Sequence, residues 1–128
     1  MPRPTFLVAE PEPNEALSVR KLVLETAKFN VITAHHTQEA LDIIHLFPKI
    51  SAAILVMARE INCELIAQSI KSGNAEIVVI ALSPQIAGHC AKADHILSSH
   101  EPEQLVSLVR SLFGDPREKA TSQITGRT

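Results

Sequence analysis

Short, nearly continuous apolar runs alternate along this chain with stretches whose apolar residues recur every three or four positions. The first pattern is that of buried strands, the second that of amphipathic helices. Thr5–Ala9 (TFLVA) predicts a first strand, and the Glu10-Pro11-Glu12-Pro13 loop behind it cannot extend the ladder, because proline donates no N–H. Asn14 is placed to cap a helix whose apolar positions Leu17, Leu22, Val23, Ala27 and Phe29 recur at helical intervals. Val31–Ala34 predicts a second strand with His35-His36 as its exit loop. Thr37 then caps a helix carrying Ala40, Leu41, Ile44 and Phe47 on one side, stopped by Pro48. Ala52–Met57 and Ile77–Leu82 are apolar at every position, as strands covered on both faces are. Between them Asn62 predicts the cap of a helix with Leu65, Ile66 and Ile70 inward and Ser72-Gly73 at its end. His95–Ser98 predicts a fifth strand, and Pro102 opens a last helix with Leu105, Leu108, Val109 and Leu112 on one stripe, ended by Gly114.

Strands alternating with helices imply an α/β fold with an open, parallel, doubly wound sheet. One connection departs from the pattern. Only Pro84 to Lys92 separate the fourth strand from the approach to the fifth, so a helix there is shortened or lost. Pro84 and Gly88 weaken it further, and at ~1.5 Å per residue it would span at most about 13 Å. The expected domain is 1–114; residues 115–128 are polar apart from Ile124 and read as a disordered tail or the stub of a linker.

Composition narrows the function classes. With 128 residues, 45% apolar and 20% charged, the chain is one globular domain that needs no metal or disulfide staple. It has four Phe but neither Tyr nor Trp, so the core is aliphatic and the usual platforms for stacking bases are missing. A net charge of −2 offers no attraction to nucleic acid or to a membrane surface. Cys63 and Cys90 are not spaced as a metal or redox pair. The apolar run near the start is too short for a signal segment, and the longest, Ala52–Ala58, is far short of a bilayer span. The expectation is a cytoplasmic protein with reduced thiols.

FLVAEPEPNEALSVRKLV, ITAHHTQEALDII, AAILVM, IVVIALS and ADHILSSHEPEQLVSLVRSL occur in that order from Thr5 to about Gly114. In this order they resemble the receiver domain of two-component response regulators, a CheY-like, flavodoxin-like module. The resemblance implies a strand order of 2-1-3-4-5 and a phosphorylation pocket at the carboxyl edge of the sheet. In that family two acids after strand one help hold Mg²⁺, and an Asp ending strand three accepts the phosphoryl group. A Thr or Ser ending strand four and a Lys ending strand five contact its oxygens. Carried onto this chain, the acids become Glu10 and Pro11, and the acceptor becomes Val56 or Met57. The Thr/Ser position is Ser83, which fits; the Lys position is Ser99, which does not, and His100 replaces the Pro that follows it. Ile96 stands where the family keeps a switch aromatic. The resemblance therefore implies a degenerate pseudo-receiver with neither nucleophile nor phosphate-binding cation, no metal and no cofactor. Losing the Asp and the Lys together is self-consistent, since a partly buried Lys without its anion would be costly. The expected role is a non-catalytic module acting by protein–protein contact. Its partners would be a kinase, an output domain or another signalling protein, and a homodimer is compatible with it. The alternatives are a phosphoacceptor receiver using a substitute acid, Glu60 or Glu12, and a small-ligand sensor in the vacated pocket.

The remaining candidates have plainer explanations. His35, His36, His89 and His100 show no helical i, i+4 pair, and strands two and five lie at opposite sides of such a sheet, which leaves surface histidines. Ser83, Ser98, Ser99 and His100 lack a G-x-S-x-G elbow for a Ser-His hydrolase. Cys63 in the first turn of a helix is either a thiol with its pKa lowered by the dipole or an inert, half-buried one. Arg20, Lys21 and Lys28 read as a docking patch or simply a solvated face.

Overall fold

The computed structural model describes residues 4–11, 19–74, 76–84, 90–99 and 101–114. The expectations about Asn14, Leu17, Glu12, His100, the tail and most of the connection between the fourth and fifth strands fall outside the described residues. The elements are β1 (Thr5–Ala9), α1 (Val19–Thr26), β2 (Asn30–Ala34), α2 (Thr37–Leu46), β3 (Ala52–Val56), α3 (Cys63–Gly73), β4 (Val78–Ser83), β5 (His95–Ser98) and α4 (Pro102–Phe113).

The five strands form one sheet in the order β2-β1-β3-β4-β5, all parallel. β3 lies at its centre and is buried at every position, as its unbroken apolar run requires. Side chains alternate between two layers. Leu7, Ala53, Leu55, Val79 and Ala81 pack with α2 and α3. Phe6, Val8, Ile54, Ile80 and Leu82 pack on the opposite face with α1 and α4. Three of the four phenylalanines meet in that second layer, with Phe6 4.9 Å from Phe29 and 5.4 Å from Phe113 between ring centroids.

Helix faces follow spacing more closely than hydrophobicity. α3 buries Cys63, Ile66, Ala67 and Ile70, one stripe at i, i+3, i+4 and i+7. Leu65 falls off that stripe and is 46% exposed, contrary to expectation. Likewise Leu22 is 50% exposed and Leu24 takes the buried place, while Phe47 and Leu112 also stay largely in solvent. α2 ends at Leu46, one residue before the expected Phe47.

Capping shows a second correction. His36, not Thr37, is the N-cap of α2, its Nδ1 accepting from the Glu39 N–H at 3.3 Å. Thr37 braces the loop after β3 instead: its hydroxyl donates to Glu60 O at 3.1 Å and accepts from Asn62 N–H at 2.8 Å. Asn62 caps α3 as expected, accepting from Leu65 N–H at 3.1 Å. α1 ends without glycine. Phe29 N–H bonds back to Leu24 O and Lys28 N–H to Glu25 O, the paired bonds of a Schellman turn. Lys28 sits at its left-handed position with φ 74°, where a side chain carries a steric cost.

Asp94 fastens the approach to β5. Its Oδ2 accepts from Lys71 Nζ of α3 at 2.6 Å and from Val79 N–H of β4 at 2.8 Å. Burial raises the Asp94 pKa, but the Lys71 and Val79 donors outweigh it and hold the carboxyl below its ordinary range.

Candidate functional site at the carboxyl edge of the sheet

The resemblance placed its site where β1, β3, β4 and β5 end, and the strand registers fix which residues stand side by side there. Ala9 pairs with Leu55, Val56 with Leu82, and Leu82 with Leu97. Extending the ladders one residue sets Glu10 level with Val56, Leu82 and Leu97. The next row is Met57, Ser83 and Ser98, since Ser83 pairs with Ser98 and Met57 N–H donates to Leu82 O at 2.8 Å, and Pro11 follows Glu10 in the chain. Ser99 lies one step further, its N–H donating to Ser83 O at 2.9 Å. The described residues carried over from the resemblance, Glu10, Pro11, Val56, Met57, Ser83 and Ser99, therefore converge on one edge.

Their chemistry is mostly apolar. Val56 is buried in the α1/α4 layer, whereas Met57 packs against the α2/α3 layer and lines a groove of about 370 Å³. That groove runs over Ala58, Arg59, Ile61 and Asn62 to Cys63 and Glu64. Glu10 is 1% exposed, and its backbone is tied to β2 through its N–H to Ala34 O and through its carbonyl, 3.2 Å from His35 Nδ1. Ser83 is buried too. Ile96 pairs with Ala81 in β5 and is 43% exposed.

A magnesium ion, as receivers use, demands near-octahedral oxygen ligands, commonly from more than one carboxylate. Of the carried-over residues here only Glu10 supplies a carboxylate; Pro11, Val56 and Met57 offer none. Among the described carried-over residues the set holds one carboxylate where the resemblance implies an acid pair and an acceptor. Glu60, a candidate substitute acid, has its backbone carbonyl held by Thr37 and its side chain exposed outside the groove lining.

The histidines of the β2 exit loop serve the fold. His35 N–H donates to Glu39 Oε1 at 2.7 Å, and His36 is the α2 cap. Among the described residues no group of three or more His, Cys, Asp or Glu is placed to hold a metal. No described helix is long and apolar enough to cross a membrane.

Of the two expectations held for Cys63, the inert buried thiol stands and the lowered pKa does not. Instead of being lowered by the helix terminus, its pKa is pushed up by burial first, then by Cys90 and Glu64. Nor is it isolated: its Sγ lies 2.6 Å from Cys90 Sγ, although 27 residues separate the two in sequence. Spacing alone could not reveal the pair, because the packing of α3 against the 90–94 segment creates it.

No family model matches the chain, and no curated protein sequence matches it. Solved structures do. A response regulator receiver domain from Clostridium thermocellum superposes with a TM-score of 0.71 at 22% identity, over 91% of this chain and 98% of its own. The receiver domain of a Pseudomonas aeruginosa sensor histidine kinase, with magnesium coordinated in its active-site cleft, gives 0.72 at 15% identity, over 88% and 99%. A Thermotoga maritima response regulator in complex with Mg²⁺-BeF gives 0.68 at 22% identity, over 85% and 98%. Strand order, parallel registers and these superpositions agree: this chain has the CheY-like fold of response regulator receiver domains.

Proposed function

We propose that the chain is a degenerate receiver that acts by protein–protein contact in a two-component-type pathway and is not itself phosphorylated. The observation that carries this reading is the set of residues where β1, β3, β4 and β5 end, namely Glu10 and Pro11, Val56 and Met57, Ser83, and Ser99. Making an aspartyl phosphate needs a carboxylate oxygen as nucleophile, a divalent cation, and a fixed positive charge to stabilise the product. At the acceptor position stands Val56 or Met57, at the second acid Pro11, and at the lysine Ser99. Glu10 and Ser83 keep the chemistry of their places. Without a phosphorylation switch, the module's output is set by which of its conformations a partner prefers. A kinase, an output domain or another signalling protein fits that role.

The test is a titration of the full chain with beryllofluoride and Mg²⁺, followed by amide NMR. The expected result is no shift at Glu10, Met57, Ser83 or Ser99. Shifts clustered at these residues and saturating at millimolar Mg²⁺ would overturn the reading and turn attention to Glu60 or Glu12 as substitute acid. Thermal stabilisation by a nucleotide or metabolite would instead favour a ligand sensor in the groove beside Met57.

A further inference from the structure

We propose that Cys63 and Cys90 are a redox modification site: a reversible intramolecular disulfide, formed by exchange with a low-molecular-weight disulfide such as oxidised glutathione, that locks the first turn of α3 to the segment entering β5. The proposal is independent of whether the receiver edge is phosphorylated.

The two sulfurs stand 2.6 Å apart, both buried and both free thiols. Contacts other than their own hold them there. Glu64, the residue after Cys63, accepts from Ala91 N–H, the residue after Cys90, through Oε1 at 2.6 Å. Two turns along α3, Lys71 holds Asp94 at 2.6 Å. The 90–94 segment is thus pinned along α3 at both ends, and Cys63 and Cys90 face each other because of it. Such preorganisation favours the intramolecular bond over a dimer or a stable mixed disulfide.

Access comes from the groove at the sheet edge, which reaches Cys63 past Met57 and Asn62. The exchange balances in two displacements. The Cys63 thiolate attacks one sulfur of the oxidised tripeptide, forming a mixed disulfide and expelling one glutathione thiolate. The Cys90 thiolate then attacks Cys63 Sγ and expels the second. Two protein thiols are oxidised, one external disulfide is reduced to two thiols, and two protons pass to the expelled thiolates. Because burial, Cys90 and Glu64 disfavour the Cys63 thiolate, exchange is slow in both directions. The resulting bond would join the start of α3, at one end of the groove, to the segment entering β5.

The experiment equilibrates the full chain with graded ratios of oxidised to reduced glutathione, quenches with acid, alkylates with N-ethylmaleimide and reads the intact mass. The expected product is a monomer lighter by two hydrogens, carrying no maleimide, and returned to the dithiol by reductant. Half-oxidation should need a ratio at least roughly tenfold lower for the folded chain than for the chain in concentrated urea. Full alkylation of both cysteines at every ratio would overturn the proposal. So would a persistent glutathione adduct, a disulfide-linked dimer, or equal ratios in the presence and absence of urea.

Discussion

Replacing Asp94 by Asn removes a charge while leaving an oxygen able to accept from Val79 N–H, so it isolates the ionic part of this anchor. The native carboxylate takes 2.6 Å and 2.8 Å bonds from Lys71 and Val79. Its side chain is 39% exposed, so water screens the pair with Lys71 and its worth is that of a surface ion pair, about 0.5 to 1 kcal/mol. Asp94→Ala also strands the Val79 amide within the sheet, which adds about 1 to 2 kcal/mol. The pH dependence has a definite sign. The folded carboxyl has its pKa lowered, because the Lys71 and Val79 bonds outweigh the desolvation that opposes them. Its ionic contribution is therefore complete above the carboxyl's unfolded pKa and lost as pH falls through the folded one. Urea unfolding near neutral pH should place Asp94→Asn about 0.5 to 1 kcal/mol below the native chain and Asp94→Ala lower still. The gap between the native chain and Asp94→Asn should close in strong acid, whereas a gap unchanged there, or none near neutrality, would refute the reasoning.

Two further substitutions probe the helix ends. Lys28→Gly should stabilise the chain by about 0.5 to 1 kcal/mol in urea melts, because a lysine at φ 74° pays a steric cost that glycine does not. His36→Ala should cost about 0.5 to 1 kcal/mol by removing the α2 cap, and His36→Asp should recover at least that much through a better acceptor and the helix dipole.

Most of the sheet is legible in the chain, because unbroken apolar runs such as Ala52–Val56 have no other way to be buried than as central parallel strands. β1 and β5 fall on the expected residues; β2 and β3 differ by one residue at one end, and β4 is displaced by one residue at both. Helix faces are less legible. Leu22 and Leu65 attract attention by hydrophobicity, yet the buried stripe passes through Leu24 in α1 and through Ile66, Ile70 and the smaller Cys63 and Ala67 in α3. Thr37 is a better capping residue than His36 by propensity, but its hydroxyl is claimed by Glu60 and Asn62 across the loop after β3. The carried-over edge residues align because parallel registers propagate along the sheet. The Cys63–Cys90 pair stayed hidden because a long-range contact between a helix start and a loop leaves no periodic trace in sequence.

The most direct test of the account is the intact mass of the full chain after incubation with acetyl phosphate and Mg²⁺. With Val56 and Met57 at the acceptor position and Pro11 and Ser99 in place of the acid and the lysine, the account predicts an unchanged mass. A hydroxylamine-labile phosphoryl adduct on any carboxylate of this edge would contradict it.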